Sequence, residues 1–266
     1  MLSDAGFKTV TDFFFQRAGI RLSDEKRQLV AGRLSRRASQ LGHDTLDEYV
    51  RAVLQAPQAP EADLLTDSLT TNETFFFREA AHFDHLAGLA RVASRPLRVW
   101  SAASSSGEEA YSIAMVLARH ARQPAWEVVG TDLSTKVVAL AQRGLYSADR
   151  CRLVSPEDLK RWCRKGTGEY EDQVLITPEL RQRVRFQTGN LTEPMSALGN
   201  FDVVFLRNVL IYFDGPMRKR VVEVAASQLR EGGVLYTGHA ETIQGLLPSL
   251  AQQAPAIYLK TARGAH

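Results

Sequence analysis

The sequence predicts two unlike parts in series, an all-helical segment and then an α/β domain with a mostly parallel sheet. Two observations predict this. Up to about residue 90 the apolar residues recur at helical spacing. From about Pro96 short apolar runs alternate with amphipathic helical stretches. Strands that alternate with helices favour a parallel sheet covered on both faces. A third observation marks a ligand site within it. In LRVWSAASSSGEEAY, residues 97–111, a strand runs into small residues and then into a helix start. Small side chains let a ligand approach the backbone, and a helix start offers unpaired N–H groups.

The helical part reads as follows. TVTDFFFQRAGI is a first helix closed by Gly19. Ser23 is expected to cap SDEKRQLVAGRLSRRASQLG, where Leu29, Val30, Leu34 and Leu41 recur at helical spacing. Lys26 stands where a capping box needs an acid or amide. Thr45 caps TLDEYVRAVL, which ends before Pro57, and EADLLTDSLT is a fourth helix. Their apolar faces bury against one another.

In the second part LRVWS, WEVVGTD, RVRFQTGNL, FDVVFL and GGVLYTGH are strand starts. EAYSIAMVLARHA, STKVVALAQRG and PMRKRVVEVAASQLREGG are the helices, and PAIYLKT is a last strand free to pair antiparallel. Between Leu145 and Gln187 the rhythm breaks for longer than a structureless loop should run. A short helix near SPEDLKRWC and two short strands, EYEDQVLI and RVRF, are expected there as an insertion on the sheet edge. Gly166-Thr167-Gly168 marks a turn.

Asp132 ends the second strand, where an acid can accept both hydroxyls of a ribose. The small-residue loop and this acid together read as a nucleoside-cofactor site. No G-x-G-x-x-G fingerprint supports a nicotinamide oxidoreductase. The residues RNVLIYF stand where a nucleic-acid methyltransferase would carry a base-holding Asn/Asp-Pro-Pro-Tyr segment. A non-catalytic binding module is the remaining alternative. Two cysteines make no disulfide framework, and six histidines without clustered spacing argue against a metal site. No apolar run is long enough to cross a bilayer, and the N-terminus lacks a signal-peptide pattern. These features predict a cytoplasmic protein. The net charge is only +3, yet Lys26, Arg27, Arg33, Arg36 and Arg37 crowd one helix. Such a face suits an acidic partner.

Five segments, in this order and spacing, carry a family resemblance. They are TNET with FFRE (Thr71–Glu79), WSAA leading to GEEAYS (Trp100–Ser112), GTD (Gly130–Asp132), RNV with IYFD (Arg207–Asp214) and GHAE (Gly238–Glu241). Across nearly its whole length the chain resembles the bacterial chemotaxis receptor methyltransferases, which are protein-glutamate O-methyltransferases. The resemblance implies a Rossmann-like class I methyltransferase domain at 96–266 with an inserted β-subdomain at about 147–187. It implies a receptor-docking helical domain at 1–70 and a linker with an interdomain helix at 71–95. S-adenosylmethionine would be the cofactor and S-adenosylhomocysteine its product. Asn72, Thr74, Arg78, Glu109, Asp132, Asn190, Leu191, Arg207 and Asn208 would bind the cofactor. Arg78 and Tyr212 would flank the transfer path, and Phe75, Phe76 and Phe77 would anchor the linker. Lys26, Arg33, Arg36 and Arg37 would dock the receptor. Glu109 is expected to pair with the cofactor's ammonium. The partner would be the cytoplasmic region of methyl-accepting chemoreceptors, met by a monomer recruited to membrane receptor arrays. Some members hold a receptor C-terminal pentapeptide on the β-subdomain. Ala110 replaces the proline common after the two glutamates, and Ala240 replaces a serine.

Overall fold

The computed structural model describes residues 2–262, so the expected outer limits Met1 and His266 lie outside the described residues. Four helices come first: α1 (Asp4–Ala18), α2 (Arg27–Gln40), α3 (Leu46–Gln55) and α4 (Pro60–Leu69). Ser3 caps α1 through the Gly6 amide, and Gly19 ends it in the left-handed region at φ 70°. Thr45 and Glu48 form a full capping box on α3. Ser23 makes no side-chain cap; a 3₁₀ turn at Asp24–Lys26 precedes α2 instead. Phe7, Val10, Phe14, Val30, Leu34, Tyr49, Val53 and Leu65 fuse into one core. Leu29 and Leu41 stay more than two-fifths exposed, outside that core.

After α5 (Ala81–Val92) the α/β part follows: β1 (Arg98–Ala102), α6 (Glu108–His120), β2 (Glu127–Asp132) and α7 (Thr135–Arg143). The insertion holds β3 (Leu145–Ser147), α8 (Pro156–Trp162), β4 (Cys163–Lys165), β5 (Gln173–Ile176) and α9 (Pro178–Arg181). The chain returns through β6 (Val184–Thr188), β7 (Phe201–Leu206), α10 (Gly215–Gln228), β8 (Leu229–Thr237), β9 (Leu250–Ala254) and β10 (Ile257–Lys260).

The main sheet has the order β6-β2-β1-β7-β8-β10-β9. Its first five strands are parallel, and β10 and β9 close one edge antiparallel. Period-two alternation sends Val99, Val203 and Phe205 to the face under α5 and α6. Trp100, Val204 and Leu206 go to the face under α10.

Two expectations are corrected here. RVRF is no strand of the insertion: Val184–Thr188 pairs in parallel with β2 as the main-sheet edge. Its alternation of buried Val184 and Phe186 with exposed Arg183 and Arg185 is that of a half-covered edge strand. Within EYEDQVLI only Gln173–Ile176 is extended, and it becomes the centre of an antiparallel sheet of order β3-β5-β4. The Gly168 turn leads into a 3₁₀ segment at Gly168–Tyr170.

The chain runs from β1 outward to β2 and β6, then crosses back to β7 and β8. Ligands of open parallel sheets sit at such a reversal, beyond the carboxyl ends of the strands. Side-chain bonds hold the helical domain against that end. Asn190 Nδ2 donates to the Arg17 carbonyl at 2.8 Å, Arg21 pairs with Asp214 at 3.1 Å, and Thr135 Oγ1 donates to Asp67 at 3.0 Å. Among the described residues, no helix is long and apolar enough to cross a membrane.

Candidate active site

A cavity of about 450 Å³ opens where the helical domain meets the carboxyl ends of the strands. That volume suits a small-molecule cofactor. The loop after β1 supplies Ala103 and Ser105, both at positive φ. Gly107 follows at φ 97°, where a Cβ would meet Ala141 at 2.8 Å and the Tyr146 hydroxyl at 3.0 Å. Gly107 is therefore needed for close packing against α7 and the buried Tyr146, while Ala103 and Ser105 are the loop residues that reach the cavity.

Asp132, at the end of β2, is buried. Its Oδ2 accepts the Ser105 amide at 2.9 Å and its Oδ1 the Ser134 amide at 3.0 Å. Each oxygen keeps further acceptor capacity. Burial raises its pKa, against the two amides that lower it.

Arg207, at the end of β7, joins two acids. It donates to Glu109 at 2.9 Å, to Glu79 at 3.1 Å and to the Arg78 carbonyl. Its side chain is 1% exposed; these bonds satisfy both terminal nitrogens, while Nε is buried without a partner. Glu109 also accepts the Ser101 hydroxyl at 2.7 Å, and burial raises its pKa. Glu109 thus already has a cationic partner within the protein, beside the ligand ammonium expected for it. Asn208 follows at φ 56°, a conformation that asparagine tolerates better than most residues. It holds structural bonds that the sequence does not announce. Its amide donates to Glu241 at 2.7 Å and its Nδ2 to Glu79 at 3.2 Å. Buried Glu241 also accepts the Gly238 amide at 2.8 Å and the Ile211 amide at 3.2 Å, fixing the turn that carries Tyr212. Glu79 and Glu241 are the site residues that sequence reasoning passed over. Their only signal is that each ends a family-like segment, FFRE and GHAE.

The linker supplies Asn72, Thr74 and Arg78 to the cavity wall. It is pinned where it is strained. Phe77 and Glu79 have positive φ, which costs about 1–3 kcal/mol each. The Phe77 amide donates to Ser112 at 3.0 Å, and Phe76 is fully buried edge-on to Tyr146. Phe75 is 37% exposed and carries the Arg78 guanidinium 5.6 Å from its ring centre. Asn190, Leu191 and Tyr212 complete the wall. The Asn190 side chain is engaged with the Arg17 carbonyl and with Thr192.

The basic residues of α2 and the turn before it divide. Lys26 and Arg33 line the cavity; Arg36 and Arg37 do not. Arg33 bonds the carbonyls of Leu69 and Thr70 and the Thr71 hydroxyl. Arg37 grips Glu61 through two bonds, 2.9 and 2.6 Å, and Tyr49 donates to the same acid at 2.8 Å. Lys26 and Arg36 stay exposed.

The family models and the sequence relatives point to one family. A family model described as the CheR methyltransferase SAM binding domain matches residues 72–256. One described as the CheR methyltransferase all-alpha domain matches residues 5–70. The chain is similar to a chemotaxis protein methyltransferase of Salmonella typhimurium, at 38% identity over 260 residues, covering 97% of this chain and 90% of that one. The Escherichia coli chemotaxis protein methyltransferase matches at 38%, covering 97% and 91%. Chemotaxis protein methyltransferase 2 of Pseudomonas aeruginosa matches at 40% over 241 residues, covering 88% and 85%.

Proposed function

The chain belongs to the CheR methyltransferase family, and from that premise we propose how its residues carry the reaction. It transfers the methyl group of S-adenosylmethionine to glutamate carboxylates of a chemoreceptor. When bound, S-adenosylmethionine supplies a methyl already activated on a sulfonium. The acceptor carboxylate, with a reference pKa of about 4.3, is ionised at neutral pH. No general base is needed, so the residues must align the acceptor, hold the cofactor and exclude water.

Asp132 accepts the ribose hydroxyls through the acceptor capacity its two amide bonds leave. Asn190 and Leu191 border the adenine. Glu109 faces the ammonium while Arg207 fixes its carboxylate, and Asn208 flanks the methionine portion. Asn72, Thr74 and Arg78 close the linker side. Arg78 orients the acceptor carboxylate through paired N–H bonds, with Tyr212 bonding one of its oxygens. Residues 1–70 dock the receptor, 71–95 link the parts, and 96–266 bind the cofactor. Some family members hold a receptor C-terminal pentapeptide on the β-subdomain and others do not; the β-subdomain is the place we propose for it where a receptor carries one. The protein works in the cytoplasm as a monomer at receptor arrays.

One observation carries this reading: a single cavity brings together Asp132, the Glu109–Arg207 pair, the linker and the start of the basic helix. The test is transfer of labelled methyl to receptor, followed by base. Volatile methanol is expected, because carboxyl methyl esters hydrolyse and N-methyl products do not. Receptor label that resists base would overturn the carboxylate acceptor.

A further inference from the structure

At the junction of the linker and α5, Glu79 and His82 meet His239 from the turn after β8, with donor atoms all within 4.8 Å of one another. His82 Nδ1 lies 3.6 Å from Glu79 Oε2, and His239 Nε2 lies 4.0 Å from the same oxygen. Glu79 and His239 stand 160 positions apart, so no sequence spacing reveals the group.

His82 is the informative member. Its side chain is 1% exposed, yet neither ring nitrogen has a hydrogen-bond partner. A buried polar group left unpaired costs about 1–3 kcal/mol, and most such groups in folded proteins find partners. The ring lies 5.0 Å from that of Tyr236 and 5.2 Å, edge-on, from that of His239. Burial, then the Arg207 charge, pushes its pKa down to about 4. At neutral pH it is a neutral imidazole with a free lone pair, the form that binds a metal without first losing a proton.

We propose that Glu79, His82 and His239 form a binding site for a divalent ion of the zinc class, with two imidazoles, one carboxylate and a position left for water. This set of donors suits zinc and its first-row neighbours, not calcium or magnesium. Donors on a tetrahedral ion with bonds of about 2.0–2.1 Å stand about 3.4 Å apart. The side chain of His239, 55% exposed, is free to close the remaining distance. Arg207 opposes the ion, since its Nη2 lies 3.1 Å from the same Glu79 oxygen. The site is therefore weaker than a dedicated structural zinc site. Occupancy also draws Glu79 away from Arg207 and Asn208, so metal and S-adenosylhomocysteine bind against each other. This control of the cofactor site goes beyond methyl transfer itself, and the metal-binding test needs no receptor.

The test uses the untagged full chain, stripped with chelator and titrated with Co²⁺ as the spectroscopic probe. One equivalent with the visible absorption of four- or five-coordinate Co²⁺, displaced by Zn²⁺, is expected. Exposed His239 is the side chain to remove: His239→Ala should fold, with an unchanged melting temperature in chelator, and lose at least about tenfold in Co²⁺ affinity. Zn²⁺ should lower S-adenosylhomocysteine affinity severalfold in the wild type and leave that of His239→Ala unmoved. Absence of absorption at millimolar Co²⁺, an intense thiolate band pointing to Cys151 and Cys163, or equal affinity in His239→Ala would each overturn the site. Cofactor affinity indifferent to Zn²⁺ would overturn the coupling.

Discussion

Arg33 donates from Nη1 to the carbonyl of Leu69 at 2.8 Å. The same nitrogen reaches the Thr70 carbonyl at 3.1 Å, and Nη2 reaches the Thr71 hydroxyl at 3.2 Å. The charge pattern marks this residue for docking, but its guanidinium closes the end of α4, where helix carbonyls lack partners. It therefore fixes the first residues of the linker, and Asn72 and Thr74 follow immediately. Arg37 is likewise turned inward, onto Glu61, whose pKa it lowers. The receptor-docking charge proposed for this face then rests on Lys26 and Arg36.

Arg33→Ala should therefore act on the cofactor, not only on the receptor. It removes bonds from a charged donor, each kind worth about 1.5–3 kcal/mol, and frees the linker. Lower stability in urea and weaker S-adenosylhomocysteine binding by titration are expected. Arg36→Glu should leave both unchanged and raise the apparent receptor KM, most at low salt, because exposed charges are screened. Wild-type cofactor affinity in Arg33→Ala would refute the linker role. An unmoved receptor KM in Arg36→Glu would refute docking by this face.

The same contrast explains what the sequence shows and what it hides. The central strands are legible because runs such as FDVVFL are buried on both faces. β3 and β4 are three residues each, too short for any period to appear. β9, LAQQA, is an exposed polar edge held by backbone pairing to β10, so it has no apolar alternation to read. Asp132 is legible since its role follows from its place at a strand end. Glu79 and Glu241 are not, because their partners come from distant segments. Glu108 looks like an ordinary first-turn acid, yet it is fully buried and paired with Arg150 of the insertion. A sequence lists such charges without saying which are matched across the fold.

Asp132→Ala should weaken S-adenosylhomocysteine binding by about 1.5–3 kcal/mol, the range for charged hydrogen bonds. The buried carboxylate also holds the Ser105 and Ser134 amides. A stability loss of about 1–3 kcal/mol should accompany the binding loss. Asp132→Asn would not escape it, since an amide has one acceptor oxygen for two N–H donors. Isothermal titration well below the melting temperature separates the two effects. Unchanged affinity in the folded variant would remove Asp132 from the ribose site.

His82 should make stability rise with pH across the mildly acidic range. Its folded pKa, about 4, lies below the ordinary 6.5. Between those values the unfolded chain binds the proton and the folded chain does not, so unfolding is favoured as pH falls. The contribution is complete above about pH 6.5, is lost toward pH 4, and is on the order of 3 kcal/mol. Glu79, Arg207, His239 and His85 face the ring, and His85 is shifted down by burial with the same sign. Glu108, Glu109 and Asp132, raised by burial, act oppositely, since the folded chain holds their protons more firmly. The readout is therefore the difference between wild type and His82→Asn in chelator. That difference should shrink from pH 7 to pH 4.5; a flat difference would show that His82 does not titrate in this way.

Arg78 and Tyr212 differ in what they offer the acceptor, and their variants should differ in the same order. The Arg78 carbonyl holds Arg207, a backbone contact that Arg78→Ala leaves in place. Only the half-exposed guanidinium, lying against Phe75, is lost. Losing the paired bonds removes at least one charged bond's worth, about 1.5–3 kcal/mol, and lowers receptor kcat/KM by at least about 10- to 150-fold. Arg78→Lys keeps the charge but not the planar fork, so it should recover only part of the rate. Tyr212→Phe removes one neutral hydroxyl bond, about 0.5–1.5 kcal/mol, for a loss of about 2- to 12-fold. The hydroxyl does not hold the turn, which Glu241 fixes through the Ile211 amide, so melting should not change. Initial rates at saturating S-adenosylmethionine, with receptor varied, decide the matter. Wild-type rates in both Arg78→Ala and Tyr212→Phe would place the acceptor elsewhere in the cavity.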